Sequence, residues 1–196
     1  MATMAAAPPD AYPIRVEVPY PESLSRGLIF VKWLLAIPHL IILYFLQIAW
    51  SIVTLIAVFA ILFTEKYPEG LFKFAVGYRR WQLNAVAYVL LLRDEYPPFS
   101  LDAGQYPAVL EVDYPERLNR FLPFIKWLLV LPNLLVAAVV MVVALILTIV
   151  AWFAILFTGK YPQGMFDFVV GALRWSERAS EYAYLFTDRY PPFSLK

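Results

Sequence analysis

The sequence predicts a mainly α-helical integral membrane protein that is a tandem duplication of a module of about 90 residues. Composition is the first observation: 62% of the 196 residues are hydrophobic and 16% are charged, whereas soluble domains are about 45–50% apolar and 25% charged. The repeat is the second observation. Shifting the chain by 94 positions aligns residues 12–101 with residues 106–195 without a gap, and 46 of the 90 aligned pairs are identical. We therefore predict two membrane modules over these ranges, joined by the linker 102–105.

The charge and the rare residue types exclude several kinds of partner. With a net charge of +1, the chain has no bulk attraction for nucleic acid. It has no cysteine and a single histidine, His39, so disulfides, thiolate metal sites and iron–sulfur clusters are excluded and a cluster of histidine ligands cannot form. We therefore predict no nucleic-acid partner, no metal site and no cofactor.

The first part of each module predicts a strand followed by a helix. Residues 1–11 carry neither the basic stretch nor the apolar core of a secretory signal, and we expect a short disordered tail there. Each module then opens on an alternating apolar stretch, "IRVEV" from Ile14 and "AVLEV" from Ala108, which predicts a short strand. The following "YPE" places Pro21 or Pro115 in the first turn of a helix, where a missing N–H is harmless.

A long apolar segment comes next, Leu28–Thr64 in the first module and residues 122–158 in the second, with a lysine and a proline as its main interruptions. It has two interpretations. The residues from Pro38 to Thr64 would form a helix of ~40 Å, sufficient for one tilted crossing of a bilayer. Alternatively, the whole segment would fold into two short arms, as a wedge or re-entrant hairpin.

The distribution of basic residues favours the second interpretation. With one crossing per module, the sixteen Lys and Arg residues divide into eight on each side, which gives no orientation signal. With an even number of crossings, all sixteen lie on one face, and the two "YPPFSL" segments share a compartment. We therefore favour paired short arms, with the polar segments on the cytoplasmic face of a bacterial inner membrane.

Residues near the ends of the apolar segments are typical of membrane–water interfaces. The repeated "KYP" follows the segment in both modules, where a lysine can reach lipid phosphates and a tyrosine suits the headgroup zone. A Lys-Trp pair near the start of each segment has the same character. The predicted lipid or interface anchors are Lys32, Trp33, Lys66, Tyr67, Trp81, Lys126, Trp127, Lys160, Tyr161 and Trp175.

A second helix is predicted after each "KYP", over residues 69–92 and 163–186. In the second module its charged residues fall on one stripe, which is typical of an amphipathic helix at a membrane surface. Packing of this helix on its own membrane segment is an equally good interpretation. Each module ends in an extended "YPPFSL" exit, and we expect residues 193–195 to lie beside the strand at residues 14–18.

A carboxylate precedes each exit, Asp94 in the first module and Asp188 in the second. We predict that these pair with Arg80 and Arg174 as structural ion pairs. Catalytic carboxylates would need a second acid or a nucleophile nearby, and the sequence singles out neither.

Three stretches of the second module resemble an uncharacterised bacterial family of membrane proteins, common in Actinobacteria and known only as a domain of unknown function. The stretches are "WFAILFTGKYP" at 152–162, "GALRW" at 171–175 and "TDRYPPFSL" at 187–195. The first module departs modestly, with Val58 in place of the tryptophan and Glu65 in place of the glycine. The resemblance covers nearly the whole chain and implies a tandem membrane module, without an activity, cofactor or catalytic residue.

No motif in the sequence carries a recognisable chemistry, and we expect a protein that is not an enzyme. Our functional expectation is an accessory or structural membrane protein that stabilises a membrane complex or binds and shapes lipid. Its partners would be membrane lipid, other membrane-protein subunits or further copies of itself. The alternative is a small transporter or channel subunit whose two repeats flank a path lined by Lys32, His39 and Lys126.

Overall fold

The computed structural model describes residues 12–196, so the predicted disordered tail at 1–11 lies outside the described residues. Each repeat contributes one strand and three helices in the same order. The elements are β1 (Ile14–Glu17), α1 (Leu28–Leu35), α2 (Ile37–Thr64), α3 (Glu69–Val89), β2 (Val109–Val112), α4 (Leu122–Leu129), α5 (Leu131–Thr158) and α6 (Gln163–Ala183). The predicted mainly helical tandem repeat is confirmed.

Helices α1 and α2 form one continuous run, which we call the first long helix (Leu28–Thr64). Ala36 between them keeps right-handed helical dihedral angles, and its N–H donates to the Lys32 carbonyl over 2.9 Å. Pro38, the second residue of α2, removes one backbone hydrogen bond from the run. The helical bonds continue beyond it, since the Leu40 N–H donates to the Ala36 carbonyl over 3.0 Å. Helices α4 and α5 form the second long helix (residues 122–158) in the same way, with Val130 at the junction.

The prediction of two short arms is therefore wrong, because the prolines fit within a helix and no turn-forming residue follows them. Within residues 12–196 two helices are long and apolar enough to cross a membrane, Leu28–Thr64 and Leu131–Thr158. With α4 included, the second long helix has the same number of residues as the first, and each run would be ~55 Å long at 1.5 Å per residue. The long helices end at Glu65 and Gly159, whose φ values of 61° and 71° are left-handed, and the chain then turns back into α3 or α6.

The predicted strands are confirmed, and they pair with each other. β1 and β2 form an antiparallel ladder in which Val16 lies opposite Leu110. These two residues are 94 positions apart and are therefore equivalents in the repeat. A ladder centred on equivalent residues places a local two-fold axis between them, and this axis relates the two repeats.

The exits do not add to the ladder as we expected. Leu101 packs instead on Gly77 of α3, so closely that a Cβ built on the glycine would lie 2.8 Å from the Leu101 Cβ. Leu195 packs in the same way on Gly171 of α6. The second exit nevertheless lies near β1, because Arg174 donates to the carbonyls of both Val16 and Leu195.

The strands are exchanged between the repeats. β1 packs on α6 of the second repeat, and β2 packs on α3 of the first. Arg80 of α3 donates to the Leu110 carbonyl over 3.4 Å, and Arg174 of α6 donates to the Val16 carbonyl over 3.0 Å. On another face, α3 packs on α2 and α6 packs on α5. The α3–α6 pair thus lies between the strands and the long helices, which confirms the packing interpretation of these helices.

Candidate functional site

The two long helices expose most of their surface, and this surface is apolar. Seventeen large hydrophobic side chains of the first long helix are exposed, and seventeen of the second. Their only charged residues, Lys32 and Lys126, are buried. We call this exposed part of Leu28–Thr64 and of residues 122–158 the apolar surface. Monomeric soluble proteins rarely expose continuous apolar patches of this size.

Four of the predicted interface anchors lie at the edges of the apolar surface. Trp33 and Trp127 are 64% and 61% exposed, although their indole N–H groups donate to carbonyls within their own helices. Lys66 and Lys160 follow the ends of the long helices and are exposed. Their positions suit the predicted anchoring.

Lys32 and Lys126 turn inward, so the prediction that they reach lipid phosphates is wrong. Each lysine is 1% exposed. The ammonium of Lys32 lies 2.7 Å from Asp94 and donates to the Arg93 carbonyl over 2.7 Å. The ammonium of Lys126 lies 2.6 Å from Asp188. A buried lysine needs this compensation, because an unpaired buried charge is costly.

These contacts also correct the predicted partners of the two aspartates. Leu91, which follows α3, is left-handed with a φ of 63°, and the turn there carries Asp94 back to α1. Arg80 points to the strand side of α3, where it donates to the carbonyls of Leu101 and Leu110. Asp94 therefore pairs with Lys32 and not with Arg80. In the second repeat Asp188 pairs with Lys126, while Arg174 binds the carbonyls of Val16 and Leu195.

The predicted aromatic anchors of the KYP turns and of α3 and α6 are buried as well. Tyr67 is 0% exposed and Tyr161 is 1% exposed, because each packs in the corner between a long helix and the helix that follows it. Trp81 donates to Nδ1 of His39 over 2.9 Å, and Trp175 donates to the Asn133 side-chain oxygen over 2.7 Å. These rings join the helices of a repeat, so their prediction as interface anchors is wrong.

The path proposed for a transporter is not formed by its three predicted residues. His39 is buried and stacked on Phe99, with 4.0 Å between the ring centroids. Lys32 and Lys126 belong to different repeats, and each is closed off by its own aspartate. The prediction that Lys32, His39 and Lys126 line a common path is therefore wrong.

A buried ionic cluster joins α3 to α6, and the sequence analysis missed it. Arg79 donates to Glu181 over 2.7 Å and to Glu177 over 2.9 Å. Glu181 is fully buried. The signal that could have revealed the cluster is asymmetry, since the repeat equivalents of Arg79, Glu177 and Glu181 are the apolar residues Leu173, Leu83 and Ala87.

The cluster holds one cation against two carboxyl groups. Burial, together with the neighbouring Glu177, raises the pKa of Glu181 to about 8 despite the opposing effect of Arg79. Burial acts to lower the pKa of Arg79, but the two carboxylates outweigh it and the pKa is raised. Burial therefore favours the protonated form of Glu181, which leaves Glu177 as the main counter-charge of Arg79.

A second ionic cluster lies where the end of the first long helix meets the start of the second. Glu65 binds Arg117 and Arg120, and the hydrogen bonds from these two guanidinium groups lower the pKa of Glu65. In the other repeat the positions of Glu65 and Arg120 are taken by Gly159 and Arg26. The two ends of the helix pair therefore differ in charge.

Between residues 12 and 196, no group of three or more potential metal-ligating side chains comes together. The side chains of Arg79, Glu177 and Glu181 are largely buried. The apolar surface is consequently the feature of the described chain that most needs a partner.

Comparison with protein families identifies the repeat. A family model, described as a domain of unknown function (DUF4389), matches the chain twice, at residues 26–100 and 123–194. The two matches coincide with the two repeats and together cover most of the chain. No curated protein and no solved structure matches it.

Proposed function

The chain belongs to the DUF4389 family, of which it holds two copies, and we propose that it is a non-enzymatic accessory protein of a bacterial inner membrane. In this proposal it binds and shapes lipid, or stabilises a membrane complex, through the apolar surface. The polar segments of both repeats face the cytoplasm, where all sixteen Lys and Arg residues satisfy the preference of basic residues for that side.

The observation that carries the proposal is the uncharged exposed surface of the long helices. Exposed residues such as Phe45, Ile52 and Phe63 of the first long helix are 54–74% accessible. Burying a large apolar side chain is worth about 1.5–3 kcal/mol, so a surface with seventeen of them on each helix favours transfer into hydrocarbon. Trp33 and Lys66 would then lie near the headgroups, at the edges of the inserted surface.

Introducing lysines into the apolar surface tests this function. Ile52 and Ile146 are repeat equivalents on the two long helices and are 54% and 56% exposed. We expect the double variant I52K/I146K to leave the membrane fraction more readily in alkaline carbonate and to retain severalfold less phospholipid after purification in mild detergent. The control A103K/Q105K adds the same charge at exposed linker positions and should behave as the wild type.

The readouts are phospholipid by mass spectrometry, partition between membrane and soluble fractions, and the melting temperature in detergent. An unchanged melting temperature shows that the variant is folded. The proposal fails if the wild-type protein is recovered from native membranes as a free species, with neither retained lipid nor a stoichiometric partner. Equal lipid retention by wild type and I52K/I146K would also overturn it.

A further inference from the structure

We propose that the two long helices lie in the plane of the membrane, embedded in one leaflet, and do not cross it. The inference rests on the proposed membrane function. It adds that the apolar surface contacts the acyl chains of a single leaflet.

The two long helices are antiparallel and meet at both ends. Leu24, just before the first long helix, donates its N–H over 2.8 Å to Gly159, just after the second. Leu118, just before the second long helix, donates its N–H over 2.8 Å to Glu65, just after the first. The start of each long helix therefore lies beside the end of the other. Because each helix is ~55 Å long, this is possible only if the two helices run in opposite directions.

The two-fold axis is therefore perpendicular to the long helices and passes between their midpoints. The same axis passes through the centre of the ladder, where Val16 pairs with Leu110. It also passes between α3 and α6, which pack between the strands and the long helices. Along this axis the molecule has the strands at one side, α3 and α6 in the middle, and the long helices at the other side.

A transmembrane placement conflicts with this arrangement. If the long helices crossed the bilayer, the axis relating them would lie in the bilayer midplane, and the ladder on that axis would lie at the same depth. Glu111 and Asp113, whose side chains are 40% and 55% exposed, would then face the hydrocarbon together with the exposed Glu17. Placing a charged side chain at that depth costs about 2.5–3.5 kcal/mol or more.

An in-plane placement removes the conflict. The axis then lies along the membrane normal, so both repeats have the same orientation and the ladder stands on the water side of α3 and α6. The apolar surface faces the lipid along its whole length. A helix with side chains is ~10 Å across and a leaflet's hydrocarbon is ~15 Å thick, so both long helices fit within one leaflet.

This placement also explains the positions of the exit rings. Tyr96 donates to the Leu35 carbonyl at the junction of α1 and α2, and Tyr190 donates to Leu129 in the second repeat. Both rings, together with Phe99 and Phe193, remain partly exposed beside the long helices. In-plane insertion puts the two tyrosines at the same depth as each other, and likewise the two phenylalanines, as expected for an interfacial belt.

Depth measurement along one helix distinguishes the two placements. The chain has no cysteine, so single cysteines can be placed in the full-length protein at Ile41, Ile52 and Phe63, which are exposed along the first long helix. Each is labelled with an environment-sensitive fluorophore, and quenching is measured in phosphatidylethanolamine–phosphatidylglycerol vesicles that contain spin labels at defined acyl depths. In-plane insertion predicts the same depth, within a few ångströms, at all three positions. A cysteine at Ala103 in the linker should remain unquenched.

Sidedness supplies an independent readout. Glu22 and Glu116 are equivalent, exposed residues near opposite ends of the helix pair. Single cysteines there should react with an impermeant maleimide from the same side of the membrane, in intact spheroplasts or in inverted vesicles. Reaction from opposite sides, or a depth profile with Ile41 and Ile52 both deep and Phe63 at or beyond the headgroups, overturns the in-plane placement and leaves the lipid-binding function intact. Failure of the wild type to join the membrane fraction overturns both.

Discussion

Arg79 donates to Glu181 over 2.7 Å in the interior between the two repeats, where the fold does not require a charged group. The two-fold axis relates this contact to the positions of Leu173 and Ala87, both of which are buried and apolar. One half of the interface between α3 and α6 is therefore ionic and the other half is hydrophobic. Because the apolar half packs without charges, packing of α3 on α6 does not need the ionic half. The ionic half adds specificity to the pairing of the repeats, since its charged residues come together only when a first repeat pairs with a second.

The stability of the protein should fall as the pH rises from about 4.5 to about 8. The pKa of Glu181 is 4.5 in the unfolded reference state and is raised to about 8 by burial in the folded protein. Between these values the folded state holds a proton that the unfolded state has released, so unfolding becomes easier with increasing pH, by at most about 1.4 kcal/mol per pH unit. Below pH 4.5 the full contribution of Glu181 is present.

Unfolding in detergent at a series of pH values between 5 and 9 measures this slope. The variant E181Q keeps a neutral side chain at every pH and should lose the slope. E116Q removes an exposed carboxyl group and should keep it. A wild-type stability that does not change over this range would contradict a raised pKa of Glu181, and an equal slope in E181Q would assign the slope to another group.

Replacing the whole ionic cluster should be far less harmful than breaking it. R79L leaves Glu177 and the buried Glu181 without their cation, and removing one partner of a buried pair costs about 3–5 kcal/mol. The triple variant R79L/E177L/E181A copies the apolar residues of the equivalent half and should recover most of that loss. Chemical unfolding of the wild type, R79L and the triple variant measures these differences in stability. A triple variant as unstable as R79L would mean that the apolar residues of the equivalent half cannot replace the ionic cluster.

The sequence predicted the elements of this fold better than their environment. The 94-residue shift located both repeats, because packing on a common backbone keeps equivalent positions similar. Alternation in "IRVEV" and "AVLEV" predicted both strands, but one module alone could not show that β1 and β2 pair with each other. The ladder exists only because the repeats exchange strands, and a contact between repeats leaves no periodic signal within one of them.

The candidate site shows the same limit at the level of single residues. Trp33 and Lys66 are exposed, whereas Lys32 and Tyr67 are buried, although tryptophan, lysine and tyrosine are all typical of membrane interfaces. Composition gives the preference of a side chain for water or hydrocarbon. It does not reveal that the left-handed turn at Leu91 returns an aspartate to neutralise Lys32.

The buried pair of Lys32 and Asp94 should show strong energetic coupling. K32M removes the donor to Asp94 and to the Arg93 carbonyl, and loss of hydrogen bonds to charged groups costs about 1.5–3 kcal/mol. In the wild type the Ser25 N–H donates to the Asp94 carboxylate. D94N keeps a side-chain oxygen that can accept this hydrogen bond. We expect K32M/D94N to be more stable than the sum of the single effects predicts, by about 0.5–3 kcal/mol.

A double-mutant cycle, followed by thermal or chemical unfolding in detergent, measures this coupling. K66M is the matched control, because Lys66 is exposed and a surface substitution of this kind changes stability by about 0.5 kcal/mol or less. Additive effects of K32M and D94N would mean that the two side chains do not interact in the folded protein.

Alanine at Gly77 or Gly171 should destabilise the protein, whereas alanine at the helix glycines Gly70 and Gly164 should not. A Cβ at Gly77 would lie 2.8 Å from both the Cβ and the carbonyl oxygen of Leu101, and the exit chain would have to move. Such overpacking costs about 1–3 kcal/mol. Nothing lies within 4 Å of a Cβ at Gly70 or Gly164, where alanine should stabilise the helix by about 0.5–1 kcal/mol. Unfolding of the four single variants compares the sites, and a G77A protein as stable as G70A would mean that the exit does not pack on α3.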